Sequence, residues 1–251
     1  MRAVFFAFYT SDLQAMYALW PVPLLLLAWL LATGGRAATT ADARFVRAYA
    51  IFFAVETVLD SFATGPLSRW LGISGTGAGT ALMIFFVLLG DFRVLLLLQR
   101  LARPGLARER LVAESAAWTL IVPLVALTVE QVLGALAGPL GENVIWLLYE
   151  LAFLALALWL RQVGLPLWVG PGRAVRLAYL QSVATYVAVY YALWATADVV
   201  IQVLGLDVGW ALRVVPNQLY YAFYLPFVYF RFFATEGADQ AATSRSAQAS
   251  R

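Results

Sequence analysis

Seven apolar runs, at about 14–33, 46–64, 80–100, 113–136, 143–162, 177–203 and 210–232, leave this chain few ways to fold. Each is close to the ~20 residues that an α-helix needs to cross a bilayer core. Lipid offers no partner for backbone N–H and C=O groups, so such runs must bond internally as helices. The pattern predicts an all-α, polytopic seven-transmembrane-helix bundle over 1–234, followed by a polar, disordered cytoplasmic tail over 235–251. The first run contains Trp20-Pro21-Val22-Pro23, where a kink or late helix start is expected. Only Arg2 precedes that run, whereas Arg36, Arg44 and Arg47 follow it. A signal peptide has the opposite charge order, so the run reads as a retained helix.

Composition agrees with a lipid environment. The 251 residues are 63% hydrophobic and 12% charged, with mean hydropathy +0.80. Soluble domains run near 45–50% apolar and about 25% charged. The 17 basic residues are all arginine, and Lys, Cys and His are absent. Those absences exclude a disulfide, a thiolate nucleophile, an imidazole base, a His-ligated haem and an ordinary zinc site. They also exclude a Schiff base to retinal or another aldehyde, and no cofactor is expected. The pI near 9.3 does not imply a nucleic-acid partner, because the arginines flank apolar spans where lipid headgroups lie.

Arginine placement predicts the orientation. Arg44 and Arg47, Arg100 to Arg110, Arg161 to Arg176, and Arg231 onward alternate with runs whose far ends carry only Arg2, Arg69 and Arg213. By the positive-inside rule the N-terminus is outside and the C-terminus cytoplasmic, in a bacterial-type plasma (inner) membrane.

Against this background the buried polar residues stand out. An ionised side chain at the centre of a membrane helix costs roughly 2.5–3.5 kcal/mol on insertion scales. Six acids (Glu56, Asp60, Asp91, Glu130, Glu150 and Asp198) nonetheless lie within the runs. At about 100° per residue, Tyr49, Glu56 and Asp60 share one helical face, and so do Asn143 and Glu150. The same spacing aligns Tyr191, Ala195, Asp198 and Gln202, and then Arg213, Asn217, Tyr221 and Tyr224. Most of these groups fall from the middle to the outer half. An acid of this kind can simply tie helices together by hydrogen bonds, and Glu130 sits near an outer end where headgroups would solvate it. Like charges in a low dielectric cannot all ionise, so several acids are expected to hold a proton or a cation. The candidate site is Glu56, Asp60, Asp91, Glu150, Asp198, Asn217, Tyr221 and Tyr224, in an acidic cavity of the outer half. Arg93, about 10 Å from Arg100 along the helix, either snorkels to the surface or pairs with an acid.

Sliding the chain on itself by 138 residues places Asp60 on Asp198 and Phe92-Arg93 on Phe230-Arg231. Helices 1–3 would then echo helices 5–7, with helix 4 as linker. This 3+1+3 arrangement, with the N-terminus outside, resembles the superfamily that spans PQ-loop sugar transporters and microbial rhodopsins. The resemblance implies two three-helix bundles around a central site. Pro216-Asn217-Gln218 resembles the proline-polar pair of PQ-loop proteins without being Pro-Gln, and the missing lysine excludes a retinal pigment.

Three functions follow as expectations. The first is a transporter of a small solute coupled to a proton or cation, with the bilayer as its other partner. The second is a receptor-like sensor or structural seven-helix protein without retinal, acting through a homo-oligomer or a separate signalling partner. The third is an intramembrane aspartyl protease, since Gly90-Asp91-Phe92 with Asp60 resembles the presenilin-type aspartate pair. There Leu88 stands in place of the motif's first glycine, no Tyr-Asp precedes it, and the Pro-Ala-Leu element is missing.

Overall fold

The computed structural model describes residues 4–34, 38–141 and 144–235. Eight helices form, and no strand occurs among the described residues. They are α1 (Val4–Tyr9), α2 (Leu13–Thr33), α3 (Ala41–Phe62, continued by Ala63–Leu67 and Ser68–Trp70) and α4 (Gly77–Ala102). Next come α5 (Arg108–Ala137), α6 (Val144–Val169), α7 (Ala174–Val203) and α8 (Val208–Asn217, continued by Gln218–Phe223 and 224–235). Of these, α2, α4, α5, α6 and α7 are long and apolar enough to cross a membrane, which fits an integral membrane protein. The outward faces are apolar as lipid requires, for example Leu120, Leu124 and Leu127 on α5.

The helices pack as a ring in chain order. Neighbours from α2 to α8 lie side by side, α8 returns to α2, and α4 also crosses to touch α7. The basic end is fastened by two carboxylates. Asp42 on α3 bridges Arg100 on α4 and Arg176 on α7, at 3.2 and 2.6 Å. Glu114 on α5 bonds Arg103 and Arg110, each at 2.6 Å. At the opposite end Arg69 pairs with Asp12.

Several helices run further than the apolar runs predict, and the cause is local. α3 continues to Trp70 through a π-helical turn, Ala63–Leu67, that contains Pro66. α6 continues to Val169 through another, Leu160–Gly164, just before Pro166. In α8 the π-helical turn Gln218–Phe223 follows Pro216. Proline removes one N–H and crowds the preceding turn, and a widened turn absorbs both without ending the helix. In α8 the carbonyls of Leu219 and Tyr220, inside this turn, accept side-chain hydrogen bonds from Tyr186 and Arg93 at 2.9 and 2.8 Å. α7 also ends on a π-helical turn, Val199–Val203, immediately after Asp198. Asp60 stands three residues before a π-helical segment and Asp198 immediately before one, and these are the two residues that the 138-residue offset superposes. The other pair from that offset diverges, because Arg93 is buried and Arg231 exposed.

The first run breaks where Trp20-Pro21 predicted, between a π-helical turn, Leu13–Tyr17, and the α-helix Pro21–Thr33. The short α1 was not among the predicted helices. Its first N–H groups have no cap of their own. The carboxylate of Asp207, in the turn between α7 and α8, takes those of Phe5 and Phe6 at 2.9 and 3.1 Å. Phe6 and Tyr9 then pack on Trp210.

Candidate functional site

The largest fully buried side chain is that of Arg93, which is 1% exposed. Its Nη1 donates to Thr57 Oγ1 at 3.0 Å and to Glu56 Oε2 at 3.5 Å, and its Nη2 donates to the Tyr220 carbonyl at 2.8 Å. The rings of Tyr220 and Tyr224 cover the guanidinium at 4.4 and 5.0 Å, while Nε has no partner. Cation–π contact offsets part of the cost of burying the charge. Arg93 thus pairs with an acid and does not snorkel. Tyr49 donates to the Arg93 carbonyl at 3.0 Å, so Tyr224, 3.2 Å away, is the donor to Tyr49.

Asp91 lies two residues away and faces elsewhere. It is 0% exposed, and its two oxygens accept from the hydroxyls of Tyr149 on α6 and Tyr191 on α7. Gly90 makes a different close approach feasible, that of Tyr220. A Cβ there would stand 1.5 Å from the Tyr220 hydroxyl, which lies against the α4 backbone. Asp60 has Thr64 Oγ1 at 3.4 Å and Tyr221 close by.

A second cluster forms around Arg213 on α8. Its Nη1 donates to Asp198 at 2.6 Å and its Nη2 to Glu150 at 3.1 Å. Gln202 donates to the other Asp198 oxygen at 3.1 Å, whereas Glu150 Oε2 is buried without a partner. Asn217 donates to the Tyr9 hydroxyl at 3.2 Å and accepts from Trp194 Nε1 at 2.8 Å.

Between these clusters lies a cavity of about 530 Å³. Its polar wall includes Glu150, Arg213, Asn217, Ser61 and Thr64, and its aromatic wall Trp146, Tyr149, Tyr191, Trp194, Tyr220 and Tyr221. Tyr9, Thr10 and Arg69 also line it, which places it toward the end of the bundle opposite Asp42. Of the eight candidate residues, Glu150, Asn217 and Tyr221 line this cavity. Asp91, Asp60 and Asp198 stand one layer behind it, screened by tyrosines, by Thr64 and by Arg213. Glu56 is turned to Arg93, and Tyr224 to Tyr49. Glu130 is half-buried on α5 and joins neither cluster, and Asn143 lies outside the described residues.

Sequence reasoning treated Arg213 as one of the few outer-end arginines, although it shares a helical stripe with Asn217. Tyr149 and Tyr191, the partners of Asp91, were not singled out as a pair. Helical phase gives the face of each residue but not which neighbour meets it.

Comparisons with protein-family models, with curated proteins and with solved structures find no match for this chain.

Proposed function

We propose that the protein is a small-solute transporter in which carboxylates around the cavity bind a proton or cation together with the solute. One observation carries this reading. Five acids are buried within the bundle (Glu56, Asp60, Asp91, Glu150 and Asp198), four of them in or behind the cavity wall, and two guanidiniums, Arg93 and Arg213, answer them. Asp60 and Asp91 have only neutral partners among the described residues. A carboxylate in that setting can take up a proton or a cation and release it when the site opens to water.

The wall also suggests the class of solute. Glu150 Oε2 is buried and unbonded, and an unmet acceptor favours a ligand that brings an N–H or a positive charge. Aromatic faces around it favour an organic cation. The volume lies within the ~300–1,000 Å³ usual for small-molecule sites. The solute class is therefore a small amine with an apolar body. In the sensor alternative the same cavity binds the amine without moving it.

Purified protein tested against organic amines and matched neutral analogues is expected to show a raised thermal midpoint with an amine only. Glu150→Gln, which is isosteric and keeps an acceptor for Arg213, should remove that shift when read against its own unliganded midpoint. If neutral analogues stabilise as well as amines, or if Glu150→Gln binds them equally, the assignment of the wall is wrong.

The proposed orientation places the cavity mouth outside and all seven long helices across the bilayer. A thiol introduced by Ala107→Cys, between α4 and α5, should react with an impermeant reagent only after the cytoplasmic side is exposed. The background is nil because the chain has no cysteine. Labelling from outside in sealed cells would overturn the orientation.

A further inference from the structure

From Gly77 to Leu89, α4 stays exposed or half-buried, and it becomes fully buried only from Gly90. The seam between α3 and α4 is consequently open on the outside of the bundle, as a groove of about 860 Å³. Its walls are Ile51, Phe52, Val55 and Leu59 from α3, with Phe85 and Leu89 from α4. Glu56 borders it, but that carboxylate is committed to Arg93.

One end of the groove is charged. Arg44 and Arg47 lie there, one helical turn apart. Neither forms an ion pair among the described residues: Arg44 donates to the Thr39 carbonyl at 2.9 Å and Arg47 to the Leu30 carbonyl at 2.6 Å. The Nε of Arg47 is buried with no partner. Of the acids at this end, Asp42 and Glu114 are already taken by four other arginines, and Glu109, in the first turn of α5, forms no ion pair with Arg44 or Arg47. Two guanidiniums without an ion-pair partner among the described residues therefore head an apolar trough.

We propose that the groove binds an anionic phospholipid, with its phosphate on Arg44 and Arg47 and one acyl chain along Ile51 to Leu59. The length fits one leaflet. Twelve residues separate Arg47 from Leu59, about 18 Å at 1.5 Å per residue, and half of a ~30 Å core is about 15 Å. A transmembrane helix from a partner would need a groove spanning both leaflets, and this one ends near mid-depth. The charge also fits, because the leaflet facing the cytoplasm is the one rich in anionic lipid, and the basic end of this bundle is the one assigned to it. Arginine forks suit phosphate oxygens geometrically.

The test uses the full chain reconstituted with phosphatidylglycerol or phosphatidylcholine, each carrying a diazirine at the end of one acyl chain. After illumination, labelled peptides are mapped by mass spectrometry. Phosphatidylglycerol should label the 51–59 and 85–89 segments at least several-fold more than phosphatidylcholine does, with no such preference on the α5 face at Leu120 to Leu127. Arg44→Gln with Arg47→Gln should erase the preference. Val55→Trp, which fills the trough and leaves both arginines in place, should lower labelling of these segments by either lipid. Equal labelling by the two lipids would mean bulk annular lipid only and would overturn the proposal. So would a preference that survives loss of both arginines, or cross-links at these segments to a second copy of the chain.

Discussion

Arg93→Met is expected to destabilise the protein by about 3–5 kcal/mol, the range for removing one partner of a buried ion pair. The loss comes from what stays behind. The Glu56 carboxylate, the Thr57 hydroxyl and the Tyr220 carbonyl all lose their donor in a buried site. Arg93→Lys should recover only part of this, because one ammonium cannot bond both ways while lying under two tyrosine rings. Adding Glu56→Gln to Arg93→Met should restore a large fraction, since the stranded charge is then gone. Unfolding in detergent, followed for the single and double variants, measures the coupling directly. A single variant within about 1 kcal/mol of wild type would mean that water reaches the pair, as at an exposed ion pair.

Arg213→Gln is expected to cost about 3 kcal/mol by the same reasoning, and it should have a second consequence. Arg213 holds Glu150 and Asp198 together, at 3.1 and 2.6 Å, and its side chain is 19% exposed to the cavity. Without it two carboxylates face each other across the wall, and one must recruit a proton or a cation. Stability of the variant should therefore rise on adding Asp198→Asn. If Arg213→Gln is neutral both alone and in combination, the cluster does not hold α6, α7 and α8 together.

Much of the helix layout can be read from the sequence, because membrane span length and hydrophobic runs are tied by geometry. The runs locate every long helix to within several residues, and Trp20-Pro21 marks a real break. The misses have physical causes. α3 and α6 run beyond the apolar runs drawn to 64 and 162, because π-helical turns carry the first past Pro66 and the second up to Pro166. α1 was overlooked because six residues cannot sustain a helix alone, and its cap, Asp207, is some 200 positions away in sequence.

For the site, residue types and faces were legible but partners were not. Asp91 and Arg93, two residues apart on α4, point to different partners. Two cations, Arg93 and Arg213, engage three of the five buried acids. The aspartates were expected on the cavity surface, and each lies behind another side chain. Asp91 sits behind Tyr149 and Tyr191, and that placement suits a proton or cation site which opens and closes.

The central claim is that solute and proton move together through this arrangement. The most direct measurement follows lumenal pH in proteoliposomes when an amine that binds the wild-type protein is added. Wild type should change lumenal pH in proportion to amine uptake. Asp91→Asn, nearly isosteric and still able to bond its tyrosines, should bind the amine and give no proton movement. Amine uptake by wild type without any pH change, or an identical pH change in Asp91→Asn, would contradict the account.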